Sequence, residues 1–239
     1  MNPTKQTSIT IRRSEERGLA DHGWLVAKHS FSFADYYDPA HVSFRSLRVL
    51  NEDRIAAGKG FSTHPHSNME IFTYIISGRL EHKDSMGNGR IIEAGQFQYM
   101  SAGEGVLHSE HNPSSDEETH LLQIWITPRK PGGEPRYADI DTRLLKQKNN
   151  LTLFASGDGR DNSITMRQDA AVHFGQLEKG KTIKASSHEI LPHTWLQMIS
   201  GSINIDGQTL HSGDAASFVA SAQKIHAAAD SEFLLFQLS

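Results

Sequence analysis

The chain contains no cysteine, which excludes disulfides, zinc–thiolate centres and cysteine nucleophiles together. It lacks any apolar run near the roughly 20 residues that a membrane-spanning helix needs. The opening stretch, Met1-Asn2-Pro3-Thr4-Lys5-Gln6, has no apolar segment of the kind a secretory signal carries. Excess positive charge is missing too: the formal net charge is −4 and the pI is near 6.4. Ile11-Arg12-Arg13 is too short to be a basic arm, so nothing offers a footprint for a nucleic-acid backbone. The expectation is a cytoplasmic protein whose partners include neither a nucleic acid nor a membrane.

What is present is ordinary for a folded chain. Hydrophobic residues make up 37% and charged ones 22%, a balance that supports a packed core rather than disorder. The 239 residues suffice for one large β domain or two smaller barrels. The compositional oddity is the 14 histidines, and the question is which of them cluster at a spacing that chemistry needs.

Short β-like runs separated by glycine-containing turns dominate the first half. Phe44 to Leu50, Met69 to Ile76, Arg90 to Glu93, Gln96 to Met100 and His120 to Thr127 mix β-branched, aromatic and polar residues. In the last run Leu121, Gln123 and Trp125 share one face and Leu122, Ile124 and Ile126 the other, which reads as an interior strand. A polar Pro/Gly-rich crossing, Arg129 to Tyr137, follows, and Ile140 to Lys148 fits one short helix. Strand texture then returns. Ile75-Ile76-Ser77-Gly78-Arg79-Leu80 resembles Met198-Ile199-Ser200-Gly201-Ser202-Ile203, and Glu93-Ala94-Gly95-Gln96 lines up with His211-Ser212-Gly213-Asp214. Two copies of one β-barrel explain this repeat. The predicted organisation is all-β: an N-terminal barrel over 1–130, a linker with a short helix over 131–150, and a C-terminal barrel over 151–239.

The chemistry concentrates in two pairs. On a strand, residues two apart face the same way, so His64 and His66 in Thr63-His64-Pro65-His66 project together, as do His108 and Glu110. A lone His-x-His in a β-rich chain is commonly incidental. Two pairs on facing strands of one barrel, each preceded by turn glycines, point instead to a shared metal. Three imidazoles and a carboxylate leave two positions of an octahedron open, the mark of a site with substrate access. Fe(II) is the first choice of divalent metal, with Zn, Mn, Ni, Co and Cu as alternatives. In the second half His188 and His193 stand five apart and would face opposite ways on a strand, so that barrel is expected to be metal-free.

These residues also carry a resemblance. Gly58, His64-Pro65-His66, Glu70 and Gly78 resemble the first motif of the cupin family; Gly95, Ser101-Ala102-Gly103 and His108 are similar to the second. More narrowly, His29-Ser30-Phe31-Ser32-Phe33, Met100-Ser101-Ala102-Gly103 and His108-Ser109-Glu110-His111-Asn112-Pro113-Ser114 resemble the pirin-like bicupins, above all the bacterial ones with quercetin 2,3-dioxygenase activity. The resemblance implies two antiparallel barrels packed together, with His64, His66, His108 and Glu110 as ligands in the first. Glu70 then takes a structural part rather than a ligand position. It also implies a flavonol-like aromatic substrate, dioxygen as co-substrate and loss of carbon monoxide. Glu110 would be the general base, and Phe31, Phe33 and Phe61 candidate apolar contacts. The competing expectation is a non-enzymatic regulator whose metal state governs a protein partner.

Overall fold

The computed structural model describes residues 9–145, 147–186, 189–219 and 222–239. The chain runs through β1 (Thr10–Arg12), β2 (Gly18–Asp21), β3 (Leu25–His29), β4 (Leu47–Ile55), β5 (Gly60–His66) and β6 (Glu70–Ser77). It continues through β7 (Arg79–Asp84), β8 (Gly89–Glu93), β9 (Gln96–Ser101), β10 (Val106–His111), β11 (Thr119–Ile126) and β12 (Arg136–Asp141). One helical turn, α1 (Thr142–Leu145), precedes β13 (Asn150–Ser156), β14 (Ile164–Thr165), β15 (Ala170–Leu177), β16 (Thr182–Ala185) and β17 (His193–Ser200). The last strands are β18 (Ser202–Ile205), β19 (Gln208–His211), β20 (Ala215–Val219), β21 (Gln223–Ala227) and β22 (Ser231–Leu238).

These strands form two compact units, each with a seven-stranded and a four-stranded sheet. The first unit comprises Arg17–Leu145 with Met166–Gln168. Its sheets run β12-β9-β6-β11-β4-β3-β2 and β5-β10-β7-β8. The second unit repeats the plan as β1-β20-β17-β22-β15-β13-β14 and β16-β21-β18-β19. The two orders coincide across their inner strands and differ at the edges, where β2 pairs antiparallel to β3 but β14 parallel to β13, so the faint sequence repeat reflects a duplicated inner architecture. Gly78 and Gly201 close the equivalent hairpins at φ +76° and +79°. A Cβ at either would sit 2.7 Å from Glu118 O or 2.0 Å from Asp230 O, so only glycine supplies both the left-handed backbone and the clearance.

The sheets of each unit meet through apolar side chains. In the first, Leu25, Ala27, Ile55, Ile75 and Leu121 of the large sheet pack with Leu80 and Ile92 of the small one. In the second, Leu196, Phe233 and Leu235 pack with Ile203, Ile205 and Ile225. Each such burial contributes about 1.5–3 kcal/mol, which is why the alternation in these strands fixes their inward face. Strand β11 lies between β4 and β6, the interior position its two apolar faces predict.

Two expectations need correction. The first strand, β1, pairs with β20 in the second unit, so the described residues from Ile9 to Glu16 do not belong with the rest of 1–130. Edge pairing to a strand more than 200 positions away leaves no local sequence trace. The helix expected across Ile140 to Lys148 is only Thr142–Leu145, because Ile140 pairs with Phe97 at the sheet edge as part of β12.

Candidate metal centre

The centre begins with the pairing of β5 and β10. His64 lies directly opposite His108, and His66 opposite Val106. A bulge then shifts the register so that Glu110 faces Phe61 and His111 faces Gly60. A Cβ on residue 60 would stand 2.2 Å from Glu110 O. Glycine there lets the two backbones close up at the bulge, which in turn sets where Glu110 points.

Cross-strand pairing brings three imidazoles together. Ring centroids are 4.5 Å apart for His64–His108 and 4.8 Å for both His64–His66 and His66–His108. Their nearest ring nitrogens all lie within 4.8 Å of one another. The hydrogen-bond network assigns the protons. His64 Nδ1 donates to Ser62 O at 2.8 Å, which leaves Nε2 as the lone pair. His108 Nδ1 lies 3.4 Å from His82 Nδ1, and His82 Nε2 lies 3.1 Å from Asp84 Oδ2. If His82 Nε2 donates to the carboxylate, its Nδ1 accepts from His108, and the His108 lone pair falls on Nε2. That atom is buried without a protein partner, a costly condition that a cation would relieve. Burial, reinforced by His64, pushes His66 down to about 4; burial and the neighbouring histidines push His108 down to about 3. Both are neutral donors at physiological pH, as a divalent metal requires.

Glu110 groups differently from the expectation. It joins His108 and His82 in a second set of donor atoms within 4.8 Å, because β10 pairs with β7 on its other side and sets Glu110 opposite His82. The Glu110 carboxylate accepts from Gln123 Nε2 at 2.7 Å, Thr73 Oγ1 at 3.3 Å and Gln98 Nε2 at 3.4 Å. Burial nonetheless pushes it up to about 7 against those donors. Asp53, also buried, is raised to about 7 by burial and by the charges of Glu110 and Glu52. His82 is the residue that sequence reasoning missed. Its one local signal is His82-x-Asp84 at strand spacing, with the histidine fully buried in an otherwise polar strand.

The other candidates separate clearly. Glu70 accepts from Tyr99 Oη at 2.5 Å, Ser101 Oγ at 2.6 Å and the Arg167 amide at 2.9 Å, so its carboxylate is committed to structure. Phe33 and Phe61 line the cavity described next, whereas Phe31 is buried elsewhere. His188 lies outside the described residues, and His193 starts β17 in the second unit.

His64, His66, His108 and Glu110 all open onto one cavity of about 810 Å³ in the first unit. Part of its wall is aromatic: Trp125 meets His66 edge-on at 4.9 Å and Phe33 at 5.5 Å, and Trp24 meets Phe61 at 5.3 Å. That size and lining suit a flat organic ligand of ordinary dimensions.

Comparison with known proteins agrees with this geometry. Residues 10–126 match the family model described as Pirin, and residues 153–238 the one described as quercetinase C-terminal cupin domain. The chain is 46% identical over 233 residues to a protein of Escherichia coli K12 named quercetin 2,3-dioxygenase, spanning 96% of this chain and 98% of that one. A Pasteurella multocida protein named putative quercetin 2,3-dioxygenase is 41% identical, with 96% and 99% covered. Among solved structures, Escherichia coli YhhW superposes with a TM-score of 0.92 at 44% identity, over 97% of this chain and 98% of that one. The nickel(II) complex of the bacterial pirin YhhW gives 0.91 at 44% identity, over 97% and 99%. With matches that run through both units, this chain belongs to the pirin family of bicupins.

Proposed function

We propose that the chain is a metal-dependent dioxygenase that cleaves a flavonol such as quercetin at the heterocyclic ring. The flavonol and dioxygen become a phenolic ester and carbon monoxide. The observation that carries this reading is the three-histidine cluster opening into an aromatic cavity beside a carboxyl poised near neutrality. In it His64, His66 and His108 hold one divalent metal, Fe(II) by first choice, with Glu110 as the fourth donor. When bound, the metal supplies a Lewis acid that lowers the pKa of a coordinated hydroxyl.

The chain's own residues do the rest. Glu110 takes the proton of the flavonol 3-hydroxyl as a positioned general base. Gln123, Thr73 and Gln98 hold its oxygens in place during that exchange. Trp125, Phe33 and Phe61 offer an apolar wall to a planar ring system and keep bulk water from the deprotonated, oxygen-sensitive form. Names and identities of the relatives support the same substrate class.

The test is anaerobic purification with elemental analysis, followed by oxygen uptake and carbon monoxide release with quercetin on the same sample. Stoichiometric consumption of oxygen and release of carbon monoxide are expected. A metal-loaded protein that does neither rejects the flavonol assignment and favours the regulator alternative.

A further inference from the structure

One row of the large sheet in the first unit is polar where a core is expected. His29 pairs with Asn51, Asn51 with Gln123, Gln123 with Thr73, and Thr73 with Gln98, across five adjacent strands. All five are buried, none more than 9% exposed. Asp53, two positions along β4 from Asn51, shares that face and is 4% exposed. The equivalent row in the second unit, traced through the same pairings, is Leu153, His173, Leu235, Leu196 and Ala216. The architecture therefore tolerates a largely apolar row, and the polar one has another reason to exist.

Half of that reason is visible. Thr73, Gln98 and Gln123 donate to Glu110. The other half is not. His29 and Asn51, whose side chains hydrogen-bond one another, and Asp53, whose buried Oδ1 has no protein hydrogen-bond partner, all line the cavity. An unpartnered buried polar atom destabilises a fold by about 1–3 kcal/mol, so Asp53 Oδ1, beside a polar pair on a ligand-accessible wall, calls for a ligand. The three residues stand on strands β3 and β4 of the large sheet, while His64, His66 and His108 stand on β5 and β10 of the small one.

We infer that His29, Asn51 and Asp53 form a polar subsite that hydrogen-bonds hydroxyl groups of the substrate along the large-sheet wall of the cavity. The subsite makes this cavity selective for polyhydroxylated aromatics over bare ones. For the identity of its ligand the inference rests on the flavonol reading above.

Binding measured without oxygen tests it apart from turnover. The metal-loaded protein is titrated anaerobically with quercetin and with galangin, the flavonol that lacks both distal-ring hydroxyls. Fluorescence of Trp24 and Trp125, which line the cavity, reports occupancy. Quercetin should bind about tenfold more tightly or better, the worth of one strong or two ordinary hydrogen bonds. In Asn51→Leu and Asp53→Leu that ratio should fall toward one. Asp53→Leu should melt at a higher temperature than the parent when ligand-free, because an unpartnered polar group has been replaced by an apolar one of similar shape. Failure of Asp53→Leu to fold, or a lower melt, would show that the carboxyl serves the fold and overturn the inference. Equal binding of the two flavonols by the unmodified protein, or an unchanged ratio in both variants, would overturn it as well. Turnover of both flavonols with no binding preference removes the subsite and leaves the dioxygenase reading standing. A variant-sensitive preference in a protein that cleaves neither keeps the subsite and removes the dioxygenase reading.

Discussion

The two units share one topology and differ in what fills it. The β-pairings equate His64 with Ala185, His108 with Gln223, Glu110 with Ile225 and His82 with Ile205. Ala185, Ile205 and Ile225 lie inside the apolar cluster of the second unit, whereas the first unit has at these positions a group of donors around a cavity. Both donor groups found among the described residues belong to the first unit. The β5–β10 bulge has no counterpart in β16–β21, which pair without a break from Thr182 to Ala185. A duplicated frame thus yields a packed core in one copy and a reactive cavity in the other. The physical difference is where polar groups are buried: the second unit buries fewer, and the first gathers them around a space that a metal and a ligand can fill.

The strongest way to break this contrast is to remove one donor from each unit. His64→Ala and His66→Ala should abolish stoichiometric metal binding, read by elemental analysis after dialysis, because each leaves too few donors to compete with water. His193→Ala should leave metal content unchanged. Full occupancy in both of the first two variants would end the assignment, and a loss in the third would move the metal to the other unit.

Next in size is Glu110→Gln, which keeps an oxygen donor but cannot take a proton. Turnover should drop by roughly 10²–10⁴-fold, the usual contribution of a positioned base, with metal partly retained. Unchanged turnover would strip Glu110 of that part.

His82→Phe probes the support behind His108. The substitution removes the acceptor that holds the His108 proton on Nδ1. Metal affinity should weaken about 10–100-fold in a chelator competition, as for other losses of a partner behind a ligand. An affinity equal to the parent's would leave His82 as packing alone.

A pH series on the metal-free protein sharpens the comparison further. Burial raises the folded-state pKa of Glu110 to about 7, above its unfolded value near 4. Between those values the folded chain holds a proton that the unfolded chain has released, so this group costs stability as pH rises through the interval. His66 and His108, lowered to about 4 and about 3, act with the opposite sign: they cost stability as pH falls below about 6.5. Comparing Glu110→Gln with its parent reads this carboxyl together with its effect on Asp53. The melting temperature of the variant should gain on the parent from about pH 4.5 to about 7 and then run parallel. A constant difference would mean that Glu110 is not held neutral in the metal-free cavity. Smallest of all, Ile225→Val at the position equivalent to Glu110 should cost about 0.5–1.5 kcal/mol in a denaturant melt and leave metal content untouched.

Much of this was legible in the chain itself. The spacing of His64 with His66 and of His108 with Glu110 declares two pairs, because a strand sends alternate side chains to one face. The glycines at 78, 95, 201 and 213 mark matching turns, since all four adopt positive φ. Those signals reach no further than a hairpin. Only the structure shows that Glu110, besides the ligand place expected for it, faces His82 across β10. His82 left only the His82-x-Asp84 spacing in the sequence, since the partners that make it matter lie across β10.

The sequence by itself thus determined an all-β duplicated chain with one histidine-rich half, because strand alternation and turn chemistry are local and survive in the order of residues. Tertiary structure alone decided the rest. It assigned β1 to the far unit, paired His82 with His108, and aligned His29, Asn51, Gln123, Thr73 and Gln98 into one row. Those neighbours are made by hydrogen-bond register between strands distant in the chain, and register is settled only when both sheets bury their inward faces together.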